Sequence, residues 1–438
     1  MDKNEIITIL EDWNFWKKPL EIGIPRFFYL KKLKKLLSSE QIIVITGVRR
    51  SGKSFIMKQL AKELIKNGVN KNQILVINFE DPRFVELNPK LLQQIYETFL
   101  EFLNPKGRPY IFLDEIQEVQ KWEKWVRTMQ ELKKANIILS GSNAKLLSKE
   151  LGTLLTGRHL DITVFPLSFK EFLNFNDIYP KDELDLVSKK IELKRLMRNY
   201  LEFGSFPEVV LRKEKKEILL AYFEDILNKD LVKRYKIRKP EQLKALIKFY
   251  FSNLSSLITF SSLEKSLKIS ADTIEKFSNY FETAYLTFFL KRFSFKIKEQ
   301  EKSPRKVYTV DTGLANTIGF RFSQNLGKLA ENTVFLELKR NTLLHPYLEF
   351  YYWKDERHRE VDFVLKEKLK VNKLLQVCWD IENKETRKRE TESLIKAMRE
   401  FKLNEGLIIT EDYEGEEKIK DKEIKFIPLW KWLLRDEK

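Results

Sequence analysis

Residues 41–66 read QIIVITGVRRSGKSFIMKQLAKELIK, a short apolar run, a glycine loop and a stretch of helical periodicity. From Gly47 to Ser54 the loop has the spacing G-x-x-x-x-G-K-S. Successive backbone N–H groups of such a loop converge at a helix N-terminus, and its glycines permit the turn and a close approach, so it is suited to cradle phosphates. The requirement constrains the surrounding fold, because a buried strand must precede the loop and a helix must follow it. Further apolar runs follow: ILVINFED (74–81), YIFLDEI (110–116) and NIILSGSN (136–143), with amphipathic helical stretches between them. Strands that are apolar throughout and separated by helices predict an α/β fold whose parallel sheet is covered on both faces.

Within that fold Gly47, Val48, Arg49, Arg50, Ser51, Gly52, Lys53, Ser54 and Phe55 are the candidate nucleotide-binding residues. Lys53 would reach the β and γ phosphates of ATP, and the Ser54 hydroxyl would meet Mg²⁺. YIFLDEI ends in two carboxylates at a strand terminus. Asp114 there is a candidate Mg²⁺ ligand through its water shell, and Glu115 a candidate general base for the attacking water. Ser142 and Asn143 stand at the carboxyl end of a neighbouring strand, where ligands bind in open α/β sheets, although Ser, Gly and Asn also suit an ordinary turn. Arg158, in LLTGRHL, is either a charge stabiliser for the transferring phosphoryl group or a surface arginine.

Composition bounds the remainder. With 438 residues the chain is too long for one ordinary core. One cysteine, Cys378, rules out a disulfide framework and a Cys-based zinc site, and His159, His345 and His358 supply no ligand cluster. A formal charge of +17 favours a polyanion such as DNA, through counterion release, over a merely Lys/Glu-rich surface. Neither a signal-peptide core nor a membrane-length apolar run is present, so a cytoplasmic location with no membrane partner is the expectation. The pattern divides into a P-loop unit with an N-terminal helix (1–170), a helical lid or linker (171–239), a winged-helix pattern (240–310) and a third α/β unit (311–438). In the winged-helix pattern ADTIEKFSNYFETAYL offers Asp272, Thr273, Lys276 and Asn279 to a groove, and a hairpin tip carries Lys296, Lys298, Lys302, Arg305 and Lys306.

TGVRRSGKS, FLDEIQEVQKW, LSGSNAKLL, LTGRHLDITVFPLSFKEFL and YLEFGSFPEVV, with KVYTVDTGLAN, ENTVFLELKRN, YYWKDERHREVDFV and LLQVCWD, together span nearly the whole chain. In these stretches the sequence closely resembles an AAA+-like ATPase family of archaea and bacteria. There a winged helix and a C-terminal domain similar to the PD-(D/E)XK nuclease fold follow the ATPase. The resemblance implies an ATPase that uses its nucleotide state to position DNA-handling domains, with Ser142 or Asn143 sensing the γ phosphate and Arg158 in a Gly-Arg motif. It places Arg26, in IPRFFYL, near the nucleotide, and it leaves open a homo-oligomer, a nucleotide-dependent switch acting on protein partners, and an ATP-regulated nuclease.

A nuclease of this fold needs carboxylates for Mg²⁺ and a lysine for the developing charge. The resemblance puts Glu331 and Glu337 on the helix and Asp362 on a strand, whereas Gln376 stands for the next acid and Cys378 for the lysine. An uncharged amide is the poorer metal ligand and a thiol cannot replace an ammonium, so lost cleavage is the favoured expectation. Alternatively, Lys384, Arg387 or Arg389 supplies the cation and Glu390 the acid.

Overall fold

The computed structural model describes residues 1–142, 159–320 and 325–435. They form two compact units, Met1–Phe165 and Pro166–Lys438.

The first unit is built on five parallel strands: β1 (Ile42–Thr46), β2 (Ile74–Asn78), β3 (Tyr110–Asp114), β4 (Asn136–Ser140) and β5 (His159–Thr163), ordered β2-β3-β4-β1-β5. β1 to β4 are the apolar runs expected from the sequence, buried along almost their whole length. β5 was not foreseen. Among the described residues it pairs only with β1, and its alternating HLDIT leaves Asp161 exposed, as suits an edge strand with one solvated face.

At the other edge the N-terminal segment covers β2. Asn14 donates its amide to the Val76 carbonyl at 2.9 Å and accepts the Val76 N–H at 2.7 Å, while the Trp16 indole donates to the Ile74 carbonyl at 2.8 Å. The side chains thereby satisfy ladder groups that an open edge would leave bare. The Lys3–Trp13 helix closes its N-terminus with a capping box between Asp2 and Glu5, and buries Ile6, Ile7, Ile9 and Leu10 in the sheet core.

In the second unit helices dominate through Pro240–Ser252. Next come β6 (Leu257–Ile258), the helices Phe260–Leu267 and Ala271–Thr283, β7 (Thr287–Leu290) and β8 (Arg305–Thr309). These strands make an antiparallel sheet with β8 in the centre. Just past β7 the chain pairs with a further strand, the Phe293 N–H donating to the Tyr352 carbonyl at 2.6 Å and the Tyr352 N–H to the Lys291 carbonyl at 3.1 Å.

That partner, β9 (Leu348–Lys354), begins a separate mixed sheet with β10 (Glu360–Glu367), β11 (Lys370–Val377), β12 (Glu405–Thr410), β13 (Gly415–Ile419) and β14 (Lys422–Pro428), ordered β13-β14-β12-β11-β10-β9. The Leu326–Asn341 helix precedes it, and the Lys384–Glu400 helix packs on β10, β11 and β12. β13 and β14 were also not foreseen, because EEKIKDKEIKF alternates charge with apolar residues and lacks a continuous hydrophobic run. Among the described residues no helix is long and apolar enough to cross a membrane.

Candidate functional site

β1 delivers the chain from the middle of the sheet into the glycine loop. Gly47 sits at φ +137°, and a Cβ built there would lie 2.1 Å from the Val164 carbonyl oxygen. Gly52, at φ +97°, caps the Lys53–Lys66 helix, and Arg50 between them is at φ +70°. Two left-handed residues and a glycine pressed on a neighbouring backbone give the tight turn that the spacing requires.

Lys53 is buried, its ammonium donating to the Gly47 carbonyl at 3.1 Å and the Val48 carbonyl at 3.2 Å, with the nearer Glu115 oxygen at 3.7 Å. The Ser51 hydroxyl is buried, with no hydrogen-bond partner among the described residues. Arg49 pairs with Glu80 at 2.7 Å; Val48 is buried and Phe55 exposed. Arg26 is buried behind the loop, where its guanidinium donates to the Ser51 carbonyl at 2.8 Å and lies 4.6 Å from the centre of the Tyr29 ring.

β4 lies between β1 and β3, so its last residue, Ser140, stands beside the two carboxylates. The Ser140 hydroxyl donates to Asp114 Oδ1 and accepts the Glu115 N–H at 3.1 Å. Burial pushes the Asp114 carboxyl above the usual range and Glu115 adds to the effect. Hydrogen bonds from Ser140 and Ser54, and the charge of Lys53, oppose it. Glu115 adopts the left-handed conformation at φ +52°, and the Gln117 amide donates to one of its oxygens.

Lys53, Ser54, Asp114 and Glu115, named from separate stretches of sequence, are thus brought together. Adjacent hydroxyl and carboxylate oxygens are donors of the hard type that suits Mg²⁺, and the unpartnered Ser51 hydroxyl and the glycine cradle fit a phosphate chain. Ser142 is buried just beyond β4. Asn143 and Arg158 lie outside the described residues. Ser140 was missed, although its place as the final residue of an apolar strand was the signal for it.

A second polar cluster lies inside the second unit, and it relocates a residue assigned to the hairpin tip. Lys306 is not on that tip. Its side chain is 2% exposed, and the ammonium lies 2.7 Å from Asp362, 2.7 Å from Glu360 and 2.9 Å from Glu331. The Tyr308 hydroxyl donates to the same Glu331 oxygen at 2.7 Å. Burial opposes the charge on Lys306, yet Asp362 and Glu331 outweigh it and hold the ammonium well above its ordinary value. Burial, then the Asp362 charge, pushes Glu331 up to about 8.

Gln376 accepts the Asp362 N–H at 3.1 Å and donates to Glu390 at 2.6 Å, and Asp362 accepts the Val377 N–H at 2.9 Å. Arg389 pairs with Glu390 at 2.6 Å, while Arg387 lies over the Tyr413 ring at 5.1 Å. Burial pushes the Cys378 thiol up to about 12, so it is neutral in the core. Glu337 does not join this group: it accepts from Arg340 at 2.9 Å, and Arg340 also donates to the Leu167 carbonyl at 3.2 Å. Six helical positions from Glu331 turn it to another face. Among the described residues no three His, Cys, Asp or Glu side chains are arranged to hold a metal ion.

The recognition-helix assignment falls on Ala271–Thr283, with Asp272 and Lys276 exposed and Thr273 and Asn279 half-buried. Lys296, Lys298 and Lys302 are exposed on or beside the Ile297–Lys302 helix, where Lys296 meets Glu299 at 3.1 Å. Arg305 meets Glu301 at 3.5 Å, so the tip is partly neutralised by its own acids.

Residues 39–173 match a family described as an AAA domain, and residues 194–325 and 326–432 match two domains of unknown function, DUF8612 and DUF4143. The chain is 37% identical over 412 residues to the uncharacterized protein MJ1544 of Methanocaldococcus jannaschii, covering 91% of this chain and 89% of that protein. It is 30% identical over 416 residues to an uncharacterized protein of Haemophilus influenzae, covering 93% and 98%. Among solved structures, the Walker-type ATPase PABY2304 of Pyrococcus abyssi aligns with TM-score 0.44 and 14% identity, over 70% of this chain and 99% of that one. The chain belongs to the same family as these archaeal and bacterial relatives, and its N-terminal part carries a P-loop AAA domain.

Proposed function

We propose that the protein is a Mg²⁺-dependent ATPase that uses its nucleotide state to position a DNA-handling second unit. The observation that carries the ATPase reading is the meeting of Lys53, Ser54, Asp114 and Glu115 at the ends of β1 and β3. In this reading the loop N–H groups and Lys53 would bind the β and γ phosphates, and Ser54, with Asp114 through the water shell, would hold Mg²⁺, which would offset phosphate charge. Glu115 takes a proton from the water that attacks the γ phosphorus, and the bond to the ADP oxygen breaks. Ser140 orients Asp114 and Glu115 by bridging them. Arg26 braces the loop through the Ser51 carbonyl, as a positioning residue with no phosphate contact assigned to it.

The DNA reading is supported by the charge of +17, by the three helices packed with an antiparallel β6-β8-β7 sheet in a winged-helix order, and by exposed Lys296, Lys298 and Lys302. A switch acting on a protein partner is the second reading. Leu184, Val187 and Ile191 favour it, with relative exposures of 80%, 74% and 87%.

ATP hydrolysis measured with and without duplex DNA across a salt series separates the two. Stimulation that weakens steeply with salt is the expected result, because displaced counterions set the slope. Hydrolysis indifferent to DNA at every salt concentration would remove the DNA reading and leave the protein switch.

A further inference from the structure

The nuclease-like resemblance implies a divalent metal among the carboxylates of the C-terminal domain, and the residues present do not fit one. We propose that Lys306 fills this cluster as an internal cation, so that the domain takes no divalent metal there and has no metal-dependent cleavage.

One ammonium meets three acidic side chains at 2.7 to 2.9 Å, donating hydrogen bonds to Glu331 and Asp362 and ion-pairing with Glu360. These acids come from the Leu326–Asn341 helix and β10, so the lysine does from one point what a metal would do in drawing separate elements together. Mg²⁺ needs near-octahedral oxygens and several waters. Here the centre is already occupied and buried, and a second cation within bonding distance would meet strong repulsion.

The oxygens around the ammonium have other partners as well. Asp362 accepts from Lys306 with one oxygen and from the Val377 N–H with the other. Gln376 spends its oxygen on the Asp362 N–H and its amide nitrogen on Glu390. A glutamate at 376 would set two carboxylates against each other at this 2.6 Å contact, which accounts for the amide where a nuclease pattern has an acid.

Lys306 is not free to withdraw. It lies in the central strand β8, in register with Leu257 of β6 and Leu290 of β7, and two residues on the Tyr308 ring stacks on Phe335 with centroids 4.1 Å apart. β8 is therefore a wall of the C-terminal core and its lysine a fixed plug.

The test is Mn²⁺ binding to the full-length protein, counted at equilibrium without nucleotide, for the parent and for Asp362→Asn, Lys306→Met and the double variant. ATP turnover is not read, so the outcome is independent of the ATPase proposal, and any Mn²⁺ at the P-loop is common to all four proteins. The expected result is equal binding by the parent and Asp362→Asn, one additional Mn²⁺ in Lys306→Met, and loss of that ion in the double variant. A parent site that Asp362→Asn abolishes would overturn the proposal, as would a folded Lys306→Met that gains none. Should Lys306→Met not fold, Fe²⁺-directed hydroxyl-radical mapping of the parent decides: absence of backbone scission at residues 331 and 360–362 supports the plug, and scission there overturns it.

Discussion

Replacing Glu115 with Gln should leave ATP binding intact and slow turnover on the order of 10²- to 10⁴-fold, the usual worth of a general base. The exchange conserves shape and removes only charge and basicity. The Ser140 hydroxyl meets the backbone N–H of residue 115 and the Asp114 carboxylate, and so keeps both contacts. Lys53 retains its bonds to the Gly47 and Val48 carbonyls, so the phosphate loop should hold its form. Lys53→Ala acts on the other term, because it removes the buried cation of the glycine loop and should weaken nucleotide binding itself. Equilibrium binding of a fluorescent nucleotide together with single-turnover phosphate release distinguishes the two. Release at the parent rate by the glutamine variant would remove Glu115 as the base.

Much of this site could be read from sequence because its parts are local. Loop spacing, the adjacent strand and the acidic strand exit each need only a short window, and the unbroken apolar runs of β1 to β4 identify buried parallel strands. Strand order needs contacts that no window contains. The insertion of β4 between β1 and β3, which sets Ser140 beside the two carboxylates, was therefore invisible, although the place of Ser140 at a strand end was not. β5 and the β13–β14 hairpin failed for another reason, since half-solvated strands alternate charge with apolar residues and look like surface.

Lys306 is the instructive error. Read as part of KSPRK it belongs to a basic turn, but in a strand of period two it shares a face with Tyr308, which is apolar enough to point inward. The three acids that hold it lie 25 to 56 residues downstream. No local pattern announces them.

Substituting Gly204 with Ala should cost about 3–5 kcal/mol, a large share of the 5–15 kcal/mol that holds a typical domain together. The residue sits at φ +75° and ψ −158°, a region essentially reserved for glycine, and strain of this kind costs on the order of 1–3 kcal/mol. A Cβ there would also lie 2.0 Å from Asp311 Oδ1 and 2.4 Å from Oδ2. The carboxylate cannot simply turn aside, because it accepts from the Ser205 N–H at 2.6 Å and the Leu314 N–H at 3.0 Å, the latter closing the N-terminus of the Thr312–Ile318 helix. Displacing it strands buried donors at about 1–3 kcal/mol more. Nor can the backbone retreat, since the facing Gly313 is itself so close that a Cβ on it would lie 2.1 Å from the Phe203 carbonyl oxygen. The conspicuous FGSFP and VDTGLAN stretches are accordingly two backbones pressed together and locked by one buried carboxylate. Denaturant unfolding of Gly204→Ala beside Glu202→Ala, an exposed neighbour whose loss should stay within about 0.5 kcal/mol, measures the difference. A loss below about 1 kcal/mol at Gly204 would mean that the Asp311 lock can open without penalty.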